Sequence, residues 1–116
     1  MLNKVILIGR LVKDPELRYS ENGNPFSYFR LAVDRNYTNK EGKKETDFVD
    51  IITWNRLAET CTNYLRKGKL TAVEGRIQIR KSKRGDKTYI NPEIVANNVR
   101  FIEWPDSETD QEKNIS

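Results

Sequence analysis

Apolar and polar residues along the chain follow a two-residue rhythm, broken once. Val5-Ile6-Leu7-Ile8 is a short apolar run that ends at Gly9 and continues through Arg10-Leu11-Val12-Lys13 to Asp14-Pro15. This predicts one long strand that bends at the glycine, where the missing side chain permits a kink or bulge. Ser20-Glu21-Asn22-Gly23-Asn24-Pro25 is dense in turn formers. From Phe26 to Asp34 the chain alternates, with Phe29, Leu31 and Val33 on one face and Tyr28, Arg30, Ala32 and Asp34 on the other. The polar stretch 36–45 predicts a basic hairpin loop, and Thr46–Trp54 a third strand. The rhythm then changes. Leu57, Ala58, Cys61, Tyr64 and Leu65 fall on one face of a helix, with Asn55 as N-cap, Arg66 and Lys67 at the negative end of the dipole and Gly68 at C′. Leu70–Lys81 alternates again, with Val73, Gly75, Ile77 and Ile79 opposite Glu74, Arg76, Gln78 and Arg80. Residues 81–87 predict a basic turn, and 88–104 a fifth strand interrupted near Pro92 and Asn97-Asn98.

The resulting order is β-β-β-α-β-β. An all-β chain with one helix between the third and fourth of five strands is the layout of an OB-fold, a five-stranded Greek-key barrel. Another small five-stranded barrel or an α+β sandwich is the alternative. At 116 residues the chain holds one domain, placed at 1–104, and residues 105–116 read as a short, acidic, disordered tail.

Composition narrows the function classes. The chain has no histidine and one cysteine. Zinc sites of the Cys/His kind and His-dependent nucleophiles are therefore excluded, and no metal or cofactor is expected. A single cysteine suits a reducing compartment, here the cytoplasm, and no apolar run is long enough to span a membrane. Residues 1–104 carry 20 Lys/Arg against 13 Asp/Glu, whereas 105–116 carry one lysine against four acids. A basic body of this kind suits a polyanion partner. Asp47, Asp50 and Glu74 are the carboxylates considered for a magnesium-dependent nuclease. Asp47 and Asp50 fall on opposite strand faces and Glu74 lies among arginines, so no enzyme is expected.

The third strand carries Phe48 and Trp54 on one face with Asp50 and Ile52 between them; Val49, Ile51 and Thr53 take the other. Two apolar faces thus compete for the core, and alternation does not rank them. The rings either stack on bases or fill the core, and Asp50 weighs against full burial of their face. Tyr37, beside Arg35 at the edge of a polar loop, has little core to join. Arg76, Gln78 and Arg80 line a polar strand face that suits phosphates or solvent. Lys81, Lys83, Arg84 and Lys87 give the turn beyond it a basic character.

The segments MLNKVILIGRLVKDPELRYSENGNP, FRLAVDRNYTNKEG, DFVDIITWNRLAE, NYLRKGKL and VEGRIQIRK resemble bacterial single-stranded DNA-binding proteins over residues 2–104, most of all versions from Gram-positive bacteria and their phages and plasmids. The resemblance implies a homotetramer of OB-folds that binds single-stranded DNA without sequence preference in replication, recombination and repair. It implies stacking of bases on Tyr37, Phe48 and Trp54, which puts Phe48 and Trp54 on the outer face. It also implies phosphate or polar contacts from Lys4, Arg56, Arg76 and Arg80, to which the basic residues Arg35, Lys81, Lys83 and Arg84 are added. Two departures stand out. Ser82 occupies a place where the family usually has an aromatic, so one stacking platform is expected to be lost. The tail also lacks the acidic tip ending in Pro-Phe that recruits replication and repair proteins, which puts recruitment by that route in question. The alternative function is an OB-fold assembly module, primosome-like, with weak DNA binding.

Overall fold

A computed structural model describes residues 1–102. The end of the fifth strand expected at 103–104 and the acidic tail at 105–116 lie outside the described residues. The elements are β1 (Val5–Leu11), β2 (Glu16–Tyr19), β3 (Pro25–Thr38), β4 (Lys44–Trp54), α1 (Asn55–Tyr64), β5 (Leu70–Arg84) and β6 (Lys87–Phe101).

Five of the strands close a barrel. β1 runs antiparallel to β5 from Val5↔Gly75 to Arg10↔Leu70, then crosses to β3 at Arg10↔Ala32 and Leu11↔Leu31. β3 pairs antiparallel with β4, and β5 with β6. A short parallel contact, Ile51↔Ile94 and Ile52↔Val95, joins β4 to β6 and completes the ring. This connectivity is that of the OB-fold. β2 is an addition to the expected order: Glu16–Tyr19 pairs with Pro25–Tyr28 as the first arm of a hairpin. The turn-rich segment between them closes through Ser20 N–H to the Asn24 carbonyl at 2.9 Å.

Closure depends on two missing side chains. A Cβ on Gly9 would lie 2.3 Å from the Ala32 carbonyl oxygen, and one on Gly75 would lie 2.2 Å from that of Val95. Gly9 therefore marks the point where β1 passes over β3. It stays in register opposite Thr71, so the expected irregularity at this glycine is instead a close backbone approach. Gly75 sits at the one irregularity of the β5–β6 ladder. Glu74 faces Asn98 and Gly75 faces Ala96, which leaves Asn97 without an opposite residue. The interruption expected near Asn97-Asn98 is this bulge. Pro92 makes none, because it stands opposite Ile79 in regular register. On β5, two residues before Ile79, Ile77 gives its N–H to Asn3 Oδ1 rather than to β6. Pro92 thus occupies a position type where the ladder asks for no donor.

The inward positions form one core: Leu11, Phe29, Leu31, Ile51, Val73, Ile94 and Ala96 from the strands, and Cys61 and Leu65 from the helical segment. Helix α1 plugs the barrel with Ala58 and Cys61. Burial pushes the Cys61 thiol up to about 12, so it stays protonated and acts as a small apolar residue. Tyr64 departs from the expected helix face: it is exposed and meets the Phe101 ring at 6.3 Å.

The helix ends also differ from expectation. Asn55 makes no N-cap; α1 starts behind Trp54 with no side-chain cap, and Asn55 takes a left-handed φ of 59° at the strand-to-helix corner, a conformation that Asn tolerates. Arg66 satisfies the last turn through Nη1 to the Thr62 and Leu65 carbonyls at 2.9 and 2.6 Å. Gly68 lies beyond C′ in the following turn, with φ 87° and its N–H on the Leu11 carbonyl at 2.8 Å.

Both hairpins carry more strand and less loop than expected. β3 continues to Thr38 and β4 resumes at Lys44, with Asn39 Oδ1 accepting from the N–H groups of Glu41 and Lys43 between them. Lys81–Arg84 is strand, and only Gly85-Asp86 turns, with Gly85 at φ 64°. The reason is cross-strand pairing, which continues regularly to Arg84↔Lys87. No helix among the described residues is long and apolar enough to cross a membrane.

Replacing Gly75 by alanine should destabilise the fold by about 1–3 kcal/mol or more, because backbone must move to admit the methyl group. Urea unfolding of Gly75→Ala measures this; an unchanged midpoint would contradict the account of closure.

Candidate nucleic-acid interface

Phe29, Leu31, Ile51 and Thr53 turn inward from the middle of β3 and β4, so Phe48 and Trp54 lie on the opposite face of β4, with Ile52 buried between them. Phe48 is 61% exposed and stands opposite Ala32, whose methyl group leaves the ring uncovered. Trp54 is 38% exposed and stands opposite Phe26, with ring centroids 5.1 Å apart and planes tilted by 38°. Phe26 meets Tyr28 edge-on at 6.4 Å. The Arg80 guanidinium lies 5.8 Å from the centroid of the Tyr28 ring. Trp54, Phe26, Tyr28 and Arg80 thus form a continuous track from the end of β4 across β3 to β5.

A buried carboxylate anchors the track. Glu93, 4% exposed, accepts a short hydrogen bond from the Tyr28 hydroxyl and one from Gln78 Nε2 at 3.3 Å. Arg80 donates to the Tyr28 oxygen at 2.6 Å and lies 3.8 Å from Glu93. Burial above all, then the hydrogen bond and charge of Glu93, push the Tyr28 phenol up to about 12, against the opposing effect of Arg80. Beside the track lies an open groove of about 730 Å³, lined by Tyr28, Arg30, Asp50, Arg80, Arg84 and Glu93 among others.

The sequence-predicted residues divide into three groups. Phe48, Trp54, Arg80 and Arg84 lie on the outer face of β4 or along the groove. Arg56, exposed in the first turn of α1, follows closely on Trp54. Tyr37, 63% exposed, stands near the far end of β3, within the irregular stretch between Asp34 and Thr38.

The second group is basic but spoken for. Arg35 is clamped by Asp47 through Nε at 3.1 Å and Nη2 at 2.9 Å, and by Glu45 at 3.0 Å. Its charge is therefore matched locally within the hairpin. The same guanidinium holds the Asp47 carboxyl below its ordinary value. Lys4 bonds Glu74 at 2.7 Å. With Arg76 it lines a separate, smaller hollow beside the β6 bulge, away from the groove.

The third group faces elsewhere. Lys81 and Lys83 alternate with Arg80, Ser82 and Arg84 along β5 and so point to the opposite side of the ribbon from the groove. A strand, unlike the expected loop, fixes this division.

Sequence reasoning missed Phe26 and Glu93, and read Tyr28 only as an outward residue. The signal available was that Tyr28 shares the face of Arg30. What makes it part of a track is its long-range pairing with Arg80 and Glu93, which periodicity does not reveal. The carboxylates considered for magnesium, Asp47, Asp50 and Glu74, are each paired with a different cation: Arg35, Arg30 and Lys4.

Comparison with known proteins gives consistent matches. The profile of the single-strand binding protein family matches residues 2–102. A single-stranded DNA-binding protein of Caldanaerobacter subterraneus is 51% identical over 105 residues, 89% of this chain and 69% of that protein. Single-stranded DNA-binding protein A of Bacillus subtilis is 47% identical over 105 residues, 89% of this chain. The aligned part spans 60% of the Bacillus protein's length, less than two thirds. Single-stranded DNA-binding protein 2 of Clostridium acetobutylicum is 51% identical over 106 residues, 89% of this chain and 78% of that protein.

The Tyr28–Glu93 contact has a pH signature. With its phenol raised from 10.0 to about 12 in the fold, Tyr28 contributes stability that is complete below about pH 10 and disappears as pH rises through about 12. The urea midpoint of the native protein should therefore fall more steeply over that window than that of Tyr28→Phe. Parallel pH profiles for the two proteins would show that the fold does not perturb the phenol.

Proposed function

Since this chain belongs to the single-strand binding protein family, we propose that it binds and protects single-stranded DNA with little sequence preference, in the cytoplasm, during replication, recombination and repair. The observation that carries this reading is the outward pair Phe48 and Trp54, exposed on a strand whose other face buries Ile51 and Thr53. Every base has a π-face, so rings presented in this way accept any sequence, at roughly 1–3 kcal/mol per base. Arg80, Arg84 and Arg56 supply the positive charge near the rings, and Tyr37 extends the ring set at the tip of the β3–β4 hairpin.

Charge adds affinity that salt should weaken. Each phosphate neutralised contributes a slope of about −0.7 to log K against log salt on a single strand. Lys4 and Arg35, ion-paired within the protein, contribute little of this in the proposed mode.

Self-association into a homotetramer is the second part of the proposal, and β1 supports it. Ile6 and Ile8 are 66% and 53% exposed side by side on its outer face. The edge of β1 away from β5 meets β3 only at Arg10 and Leu11, so Val5–Gly9 offers unpaired backbone beside an apolar stripe. Such an edge suits pairing with a second copy.

In Trp104→Phe protein, saturating oligo-dT should quench the fluorescence of Trp54, and Trp54→Ala should weaken binding by roughly 1–3 kcal/mol. Unchanged emission together with unchanged affinity would remove Trp54 from the site. For the assembly, light scattering should give four protomers, and Ile8→Asp should lower the mass; a native monomer would overturn that part.

A further inference from the structure

The binding mode above leaves four tyrosines unused, and two of them, Tyr28 and Tyr89, have an arginine beside the ring. Arg80 lies 5.8 Å from the Tyr28 centroid and Arg84 lies 5.9 Å from that of Tyr89. The two arginines are four residues apart on β5, so they share a face at a spacing of about 13 Å. Ser82 stands between them, and Tyr89 is its direct cross-strand partner on β6. Arg80, Ser82 and Arg84 line the groove that also contains Tyr28, and Asn91, opposite Arg80, lines it too. Tyr89 is 44% exposed, and from Arg76 to Arg84 every residue of β5 is exposed. This end of the ribbon has no core for a tyrosine to join.

We propose that the Tyr28–Arg80 and Tyr89–Arg84 pairs are two base-stacking stations on a second arm of the DNA path, running along β5 from the barrel to the ribbon tip. The proposal rests on the single-stranded DNA reading and adds Tyr28 and Tyr89 to it. A guanidinium is planar and weakly hydrated, so it lies readily on an aromatic face. In the free protein Arg80 sits at the hydroxyl end of Tyr28, donating to its oxygen at 2.6 Å and leaving the ring face open, whereas Arg84 lies 5.9 Å from the Tyr89 centroid. On binding, a base takes each ring; Arg80 stays with Tyr28 and Glu93, and Arg84 turns to the adjacent phosphate, exchanging a cation–π contact for a charge-assisted hydrogen bond. Glu93 fixes the inner station by holding the Tyr28 hydroxyl. At the outer station the small Ser82 side chain leaves the ring of Tyr89 accessible from across the ribbon. The platform expected to be lost at Ser82 is thereby supplied from the neighbouring strand.

The test uses the full chain and oligo-dT carrying 5-iodouracil, with crosslinked peptides mapped after irradiation and Trp54 quenching followed in the same samples. Crosslinks should map to Tyr28 and Tyr89 as well as to the β4 rings. Tyr89→Ala should lower affinity by about 5- to 150-fold, the loss of one stacked base, and leave the final Trp54 quench intact. Tyr89→Phe should bind like the native protein, since the ring remains. Normal quenching with native affinity in Tyr89→Ala, and crosslinks confined to Phe48 and Trp54, would overturn the second arm alone. Absence of both quenching and crosslinks in the native protein would overturn the DNA-binding reading itself.

Discussion

The passage of β1 across the barrel, from β5 to β3, is the constraint on which the rest depends. It is possible only because the Ala32 carbonyl occupies the space that a Cβ on Gly9 would fill. The same economy at Gly75 lets β6 bulge and stay paired on both sides of Asn97. Once the ring is closed, β3 and β4 have no choice of face. Phe29, Leu31 and Ile51 go in, and the two-residue period then sends Phe48 and Trp54 out. Large rings on the outside are thus a consequence of where the core lies, and they are free for a ligand because packing does not need them.

Charge is arranged on the same scaffold. A surface meant for a polyanion should not present bare carboxylates, and those nearest the rings are matched. Asp50 is bonded to Arg30 across the β3–β4 ladder at 3.0 Å. Glu93 is buried under Tyr28, Gln78 and Arg80. Two of the cations along the groove, Arg80 and Arg84, lie 5.8 and 5.9 Å from aromatic ring centroids. Charge and stacking surface therefore come in the same places, which suits a ligand that is itself an alternation of phosphate and base.

Much of this was legible in the sequence because strands announce themselves by period. The alternation around Phe29-Leu31-Val33 and Val73-Gly75 gave the inward faces correctly, and the order of strands and helix gave the barrel. What period left open was the rank of the two faces of β4, since both are apolar; closure at Gly9 decides it by long-range backbone contact. Turn-rich composition misled at 81–84, where lysine and arginine read as loop but cross-strand pairing makes strand, and so separates Lys81 and Lys83 from Arg80 and Arg84. β2 went unseen because four residues with one half-buried leucine carry no periodic signal. The ion pairs of Arg35 were not legible because its partners, Glu45 and Asp47, lie across a hairpin. The Tyr28–Glu93–Arg80 cluster joins residues 52 and 65 positions apart, beyond any local pattern.

The central claim is that this surface recognises unpaired bases and not nucleic acid in general. Its most direct test is the affinity for an oligo-dT against that for a duplex of the same length, both measured over a series of salt concentrations. The account predicts that the single strand binds more tightly at every salt concentration and that the preference widens as salt screens the phosphates, because stacking persists where charge fades. Equal affinities that fall together with salt, or no binding to either, would contradict it and favour an OB-fold that assembles with proteins.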